Sequence, residues 1–265
     1  MKQLKFSFNQ RAFINVPTDR EIIVPVSGGK DSTATLILAL QNFDKKKIIP
    51  LHCNTGWDNP KTYEYLEYME KLSGIKIHHT FFKEAPSMPD LIRRAGKFPN
   101  RIMRFCTARY KERATGRWYN ENGFSEDRKG QVWLGIRSDE SYQRRKKYGQ
   151  LDSVDIHDYR EIFSWVPKKT NRNINVRFPI IDWSTEDCFQ HIKDYGWNHN
   201  PLYDEGSNRV GCYPCLLSSK KIQAKEFSTE FGKKQLEIIR GLERELNIKY
   251  EAHEETSGTC EVCNI

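Results

Sequence analysis

The feature that most constrains this fold is a short apolar run followed directly by a glycine turn. Residues 22–26 read Ile-Ile-Val-Pro-Val, a pattern typical of a strand buried on both faces. Residues 27–32 read Ser-Gly-Gly-Lys-Asp-Ser, and apolar residues then recur at helical spacing over 36–40. Glycines permit backbone angles that are closed to other residues. The pattern therefore predicts strand, tight turn and helix start, an arrangement whose N–H groups bind anions, with Lys30 adding positive charge.

This turn differs from the P-loop, which requires glycine, four residues and then Gly-Lys-Ser/Thr. Here Asp31 follows Lys30, and Val24 lies where the first glycine would be. The turn instead resembles the PP-loop of the N-type ATP pyrophosphatases, the family that contains the phosphoadenylylsulfate (PAPS) reductases and ATP-dependent sulfur-transfer enzymes. The resemblance implies that the loop holds the β- and γ-phosphates of ATP, together with Mg²⁺. The residues implied to contact the nucleotide here are Ser27, Gly28, Gly29, Lys30, Asp31 and Ser32.

The composition suits a globular protein and permits an anionic partner. Aromatic residues make up 12% of the 265 residues, enough to build a core, and the net charge of +8 permits binding to a polyanion such as DNA. No apolar run approaches the length of a transmembrane helix, and the N-terminus lacks the apolar region of a signal peptide. We therefore expect a cytoplasmic protein without a membrane partner.

Alternating strand and helix patterns predict a doubly wound parallel α/β sheet, the fold that the family resemblance also implies. We expect a nucleotide-binding domain over 1–205 and a cysteine-rich C-terminal extension over 206–265. Residues 145–175 are polar and are predicted to form a mobile loop or a substrate lid. The predicted strands are 4–8 at one edge, then 22–26, 48–53, 75–82, 131–135 and 178–183, and the helices after the first are 61–72, 88–95 and 184–195.

Ligands of parallel α/β sheets lie beyond the carboxyl ends of the strands. Asn54 and Thr55 follow the second strand and resemble the family's Asp/Asn-Thr-Gly element, which lies near the adenosine. The stretch from Gly135 to Arg144 resembles the family's Gly-Ile-Arg-x-x-Glu-Ser-x-x-Arg element. Arg137 and Arg144 are expected to clamp phosphates, since a guanidinium bonds two oxygens at once. With Asn-Pro-Leu-Tyr at 200–203, the resemblance covers most of residues 21–216.

Cys106 begins a Cys-Thr-x-x-x-Lys stretch that resembles a family signature in which the cysteine lies near the reacting centre. Arg104, Arg109 and Lys111 flank it, and nearby cations lower the pKa of a thiol. We therefore expect Cys106 to be a reactive, sulfur-handling residue.

Two Cys-x-x-Cys pairs, Cys212/Cys215 and Cys260/Cys263, are a strong metal signal in a reducing compartment. The four could bind structural zinc. Alternatively, Cys106, Cys212 and Cys215 with one tail cysteine could bind a [4Fe–4S] cluster, as several family members do. The cluster is the favoured interpretation because it also explains Cys106, and a redox-active tail thiol pair is the third. Cys53 and Cys188 are interpreted as core residues.

The intact loop favours an enzyme that cleaves ATP. The PAPS reductases share a Glu-Cys-Gly-(Ile/Leu)-His tail, whereas Cys260 here is followed by Glu-Val-Cys. The chain looks most similar to the ATP-pyrophosphatase subunit of DNA phosphorothioation systems. That resemblance implies DNA as acceptor, other modification subunits as partners and a cysteine desulfurase as sulfur donor. A sulfonucleotide reductase and a non-catalytic nucleotide sensor remain alternatives. The candidate catalytic residues are Lys30, Asp31, Cys106 and Arg137.

Overall fold

A six-stranded sheet forms the framework of residues 18–100, 102–163 and 171–250, the parts that the computed structural model describes. Its central strand, β1 (Glu21–Pro25), pairs in parallel with β2 (Ile48–Cys53) on one side and β4 (Gly130–Trp133) on the other. The side chains of Ile22, Ile23 and Val24 are completely buried, as a continuous apolar run predicts. The predicted central strand is confirmed.

The outer strands extend this sheet on both sides. β3 (His78–Thr80) lies beyond β2, and β6 (Ile174–Arg177) and then β5 (His157–Asp158) lie beyond β4. All pairings are parallel except that of the short edge strand β5, which runs antiparallel to β6. The predicted α/β fold is thus confirmed, with an antiparallel edge in addition.

Helices cover both faces of the sheet, which is the doubly wound arrangement. Residues from α1, α2 and α7 pack around Trp133 on one face, and residues from α4 and α6 pack around Val132 on the other. A π-helix over Thr107–Ala114 continues directly into α4. The helices are α1 (Lys30–Asn42), α2 (Pro60–Ser73), α3 (Met88–Ala95), α4 (Thr115–Glu121), α5 (Tyr142–Tyr148), α6 (Tyr159–Ile162), α7 (Thr185–Asp194), α8 (Lys220–Ser228) and α9 (Glu230–Leu246).

Three predicted segments differ from the structure. Residues 178–183 form turns rather than a strand, because Pro179 has no N–H for a ladder and the strand β6 ends just before them. The predicted strand over 75–82 is reduced to β3. Residues 145–175 are not one loop, since they include the end of α5, all of β5 and α6, and the start of β6. Residues 164–170 and the predicted edge strand at 4–8 lie outside the described residues.

The described part of the C-terminal region packs against the carboxyl edge of the sheet. α9 packs against α3, and its Ile239 and Leu242 are buried in one cluster with Trp57, which follows β2. The boundary between 205 and 206 stays a prediction. No described helix combines the length and apolar character that a membrane crossing requires.

Candidate active site

The glycine turn joins β1 to α1 at the carboxyl edge of the sheet. Gly28 has a φ of 71°, which strongly favours glycine. Gly29 is extended, with φ −87°, so the expectation of unusual backbone angles holds for Gly28 and is wrong for Gly29. Space constrains Gly29 instead, since a Cβ there would lie 3.2 Å from the carbonyl oxygen of Val210.

The N-terminus of α1 has no side-chain cap. Its N-cap residue is Gly29, and the first helical N–H, that of Lys30, donates to the Tyr203 hydroxyl over 2.9 Å. Ser32 Oγ accepts from the Ser27 N–H at 3.1 Å and donates to the Gly29 carbonyl at 2.9 Å, which closes the turn. Because first-turn N–H groups need partners outside the helix, this end suits an anion.

Asp31 lies between two cations beside this turn. Its Oδ2 accepts from Lys30 Nζ at 3.1 Å, and its Oδ1 accepts from Arg137 Nε at 2.6 Å. The Arg137 guanidinium also donates to the Trp183 carbonyl at 3.1 Å and to Thr185 Oγ1 at 2.9 Å. Burial acts to raise the pKa of Asp31, but the charges of Lys30 and Arg137 hold it below its usual value. In this structure Arg137 therefore holds the Asp31 carboxylate in place. That Arg137 contacts a phosphate stays a prediction.

Gly135 explains how Arg137 reaches Asp31. A Cβ at Gly135 would lie 2.9 Å from both the Asp31 carbonyl oxygen and Thr35 Oγ1, closer than real Cβ contacts come. The chain leaving β4 consequently passes directly against α1, and Arg137 follows two residues later.

Arg144 and Arg209 share the carboxylate of Glu140. Arg144 Nη1 forms a short ion pair with Glu140 Oε2, and Arg209 Nη2 lies 3.2 Å from Glu140 Oε1. Burial lowers the pKa of Arg144. Sequence reasoning selected Arg144 and missed Arg209, whose position depends on the return of a distant loop.

These ion pairs leave the site with excess positive charge. Four cations, less two carboxylates, give a net charge of +2 beside the uncapped end of α1. Such a combination favours a polyanionic ligand. The cations are Lys30, Arg137, Arg144 and Arg209, and the carboxylates are Asp31 and Glu140.

Three further residues border the turn, and sequence reasoning gave none of them a role. Asn200 Nδ2 donates to the Gly28 carbonyl at 3.2 Å, and Lys30 Nζ lies 5.7 Å from the centre of the Tyr203 ring. The Asn-Pro-Leu-Tyr stretch was the available signal for both. Cys188 is completely buried, as predicted for a core residue, yet its thiol donates to Asp31 Oδ1 over 3.5 Å.

Asn54 and Thr55 form the turn after β2, beside the glycine turn after β1. Thr55 Oγ1 donates to Asp58 Oδ2 at 2.8 Å. Asn54 Oδ1 accepts from the Gly56 N–H at 2.8 Å and from the Tyr63 hydroxyl at 2.9 Å. The structure thus brings both predicted residues to the expected edge of the sheet.

A group of cysteines lies next to this turn, and we call Cys53, Cys106, Cys212 and Cys215 the cysteine pocket. Cys53, Cys106 and Cys212 pack against the same apolar cluster as Trp57. Cys212 forms an isolated antiparallel bridge with Asp58, and its thiol lies 3.7 Å from Thr55 Oγ1. Cys215 is close enough to interact electrostatically with both Cys106 and Cys212. Cys53 packs against the core cluster, as predicted for a core residue, and its thiol donates to the Tyr110 carbonyl at 2.8 Å.

Burial raises the pKa values of three thiols of the pocket, those of Cys53, Cys106 and Cys212. Burial raises the pKa values of Cys53 and Cys212 to about 12. Burial, and then the neighbouring Cys215, raise the pKa of Cys106 above its ordinary value, and Lys111 only partly opposes this. The prediction that flanking cations lower the pKa of Cys106 is wrong, because desolvation outweighs their charge.

Only some of the predicted metal ligands lie within the described residues. Within residues 18–100, 102–163 and 171–250, no three His, Cys, Asp or Glu side chains are arranged to hold a metal ion. Cys260 and Cys263 lie outside the described residues. The [4Fe–4S] and zinc interpretations therefore both stay predictions.

The fold defines a doubly wound α/β protein with a glycine turn at the carboxyl end of its central strand. The phosphoadenosine phosphosulfate reductase domain model matches residues 21–218, so the chain belongs to that family. This agrees with the predicted family, and the phosphorothioation subtype stays a prediction.

Individual relatives are distant. The chain is 27% identical over 253 residues to an uncharacterized 37.8-kDa protein of Escherichia phage 186, covering 78% of this chain and 70% of that protein. It is 24% identical over 204 residues to a phosphoadenosine 5'-phosphosulfate reductase of Pectobacterium atrosepticum, covering 76% and 71%. The phosphate complex of the Candida auris PAPS reductase superposes with a TM-score of 0.54 at 15% identity, covering 78% of this chain and 89% of that one. That structure shows a shared fold.

Proposed function

We propose that the protein binds ATP and cleaves it between the α- and β-phosphates, adenylylating an acceptor oxygen and releasing pyrophosphate. The observation that carries this is the intact Ser27–Ser32 turn at the uncapped end of α1, beside a site with a net charge of +2. A triphosphate with Mg²⁺ suits that combination. Lys30 would offset the charge that develops on the departing pyrophosphate, and N–H groups of the turn would donate to it.

For the acceptor we propose a DNA phosphate oxygen, with sulfur as the incoming nucleophile. The net charge of +8 and the exposed side chains of Lys146 and Lys147 on α5 support a polyanionic substrate. Once a phosphate oxygen is adenylylated, the terminal sulfur of a persulfide attacks that phosphorus and AMP leaves. A second thiol then cleaves the sulfur–sulfur bond, which leaves a phosphorothioate and a disulfide. A cysteine desulfurase would supply the persulfide.

The cysteine pocket suits the sulfur half of this reaction. Its donors are thiols, the ligands that iron–sulfur clusters use. Cys106, Cys212 and Cys215 with one tail cysteine would hold a [4Fe–4S] cluster, which would supply iron that binds sulfur. Zinc held by Cys212, Cys215, Cys260 and Cys263 is the alternative. Iron and sulfide in anaerobically purified protein would support the cluster, and zinc alone would reject it. We propose that residues 1–205 supply most of the nucleotide site, to which Arg209 adds a cation, and that the cysteines of 206–265 serve sulfur transfer together with Cys106.

A sulfonucleotide reductase is the second candidate. The family match and the identity to the Pectobacterium atrosepticum reductase favour it. Such an enzyme would bind the adenylyl sulfate at the same turn and would reduce its sulfo group to sulfite without cleaving ATP. A nucleotide sensor would neither cleave ATP nor reduce an adenylyl sulfate.

Pyrophosphate release separates these functions. We expect purified protein with ATP, Mg²⁺, DNA and a persulfide donor to release pyrophosphate, and the Lys30→Ala variant to release little. The control is Lys233→Ala, an exposed lysine on α9, which should behave as wild type. Sulfite formed from an adenylyl sulfate and a thiol, without pyrophosphate from ATP, would replace our proposal with the reductase.

A further inference from the structure

We infer that Arg209 is a further triphosphate-binding residue and makes the site prefer ATP to AMP, an inference that rests on the proposed ATP site. Of the four cations there, Arg209 alone has a side chain more than half exposed, at 60%. Lys30 and Arg137 are 6% and 2% exposed, and both are bonded to Asp31. Arg144 is 30% exposed and pairs with Glu140. Arg209 is therefore the cation that can most readily contact an incoming ligand.

The chain around Arg209 lies directly over the glycine turn. The carbonyl oxygen of Val210, the next residue, is 3.2 Å from where a Cβ of Gly29 would lie. Arg209 also acts electrostatically on Tyr203, whose hydroxyl accepts from the Lys30 N–H. These contacts place the backbone of Arg209 beside the anion-binding end of α1.

Glu140 holds the Arg209 side chain loosely at the rim of the site. The contact is one ion pair, Nη2 to Oε1 at 3.2 Å, and the same carboxylate already pairs with Arg144. One carboxylate cannot neutralise two guanidiniums, and an ion pair with an exposed partner contributes little. Exchanging Glu140 for a phosphate group therefore costs Arg209 little, and its planar fork can donate to two phosphate oxygens.

This geometry predicts a contact with the phosphates beyond the α-phosphate. Lys30 and the turn lie at the helix end that would hold the triphosphate, and Val210, the residue after Arg209, lies against that turn. AMP lacks the two outer phosphates and would leave Arg209 paired with Glu140. Loss of Arg209 should consequently weaken the binding of ATP much more than the binding of AMP.

The test compares calorimetric dissociation constants of α,β-methylene ATP, which cannot be cleaved at the α–β position, and of AMP. We expect Arg209→Ala to weaken binding of the analogue about 10-fold, the lower end for a charge-assisted hydrogen bond, and AMP binding to change less than about twofold. Arg209→Lys keeps the charge without the fork and should fall between. The matched control is Arg145→Ala, since Arg145 is 66% exposed and pairs with the neighbouring carboxylate, Asp139.

Equal losses for both ligands, or no loss for the analogue, would overturn the inference. So would an equal loss in the Arg145 control, because any nearby surface charge would then suffice. Pyrophosphate assays on the same proteins keep the two proposals apart. If analogue binding depends on Arg209 but no pyrophosphate is released, only the proposed function is refuted. If pyrophosphate is released but Arg209→Ala binds the analogue as tightly as the wild type, only this inference is refuted. Absence of analogue binding by the wild type would refute both.

Discussion

Replacing Arg137 with leucine should destabilise the protein strongly, because its guanidinium is buried and bonded on every side. The side chain is 2% exposed and donates to Asp31, to the Trp183 carbonyl and to Thr185. Its removal leaves Asp31 with Lys30 and the Cys188 thiol as partners, and it leaves the Trp183 carbonyl and Thr185 Oγ1 without this donor. Breaking a buried pair by removing one partner costs about 3–5 kcal/mol. We therefore expect a loss of about 4 kcal/mol, a large share of the roughly 5–15 kcal/mol of a typical protein.

Equilibrium unfolding in urea at neutral pH measures this loss, and a double-mutant cycle assigns it. The cycle uses Arg137→Leu, Asp31→Asn and the double variant, and we expect a coupling energy of about 1.5–3 kcal/mol for a charge-assisted hydrogen bond. Arg145→Leu removes an exposed arginine and should change stability by less than about 0.5 kcal/mol. A loss below about 1 kcal/mol, or a coupling energy near zero, would show that Arg137 does not brace Asp31.

Three other predictions address the site and the core. Lys30→Ala should lower pyrophosphate release by about 100-fold or more, the scale of a lost transition-state contact; unchanged release would exclude Lys30. Because burial raises the pKa of the Cys106 thiol, its alkylation, followed by mass spectrometry, should still increase with pH where that of an ordinary thiol has levelled off; a plateau near neutral pH would contradict this. Burial lowers the pKa of His191 from 6.5 to about 4, so the unfolded chain binds the proton more readily. As pH falls from 6.5 to about 4, the free energy of unfolding measured in urea should therefore decrease by up to about 3 kcal/mol, and it should decrease less in His191→Phe. Parallel pH profiles of the two proteins would refute this.

The glycine turn could be predicted from sequence because its determinants are local. The buried strand, the glycines and the helix start all lie within residues 21–40, and each follows from its neighbours along the chain. The strand predicted over 178–183 is wrong because a local apolar pattern indicates burial but does not show where strand pairing ends. Its apolar side chains are buried, as in a strand, yet Pro179 and the turn bonds that follow it end the ladder at Arg177.

The residues that sequence reasoning missed depend on contacts between distant segments. Tyr203 reaches the Lys30 N–H across 173 positions, and Asn200 reaches Gly28 across 172. The pKa of Cys106 depends on burial by a cluster that includes residues of α9, so neighbouring sequence could not reveal its sign. The residue types near a site can be predicted from sequence, whereas the effect of burial on the pKa of a side chain can be determined only from the packed structure.

The short segment from Arg209 to Cys212 links the two halves of the candidate chemistry. Val210 lies against Gly29 in the glycine turn, and Cys212 of the cysteine pocket bridges to Asp58. Three residue steps span at most roughly 11 Å, so the backbone beside the glycine turn and the backbone beside the cysteine pocket lie within that distance of each other. The nucleotide half and the sulfur half of the proposed reaction would therefore meet at this segment.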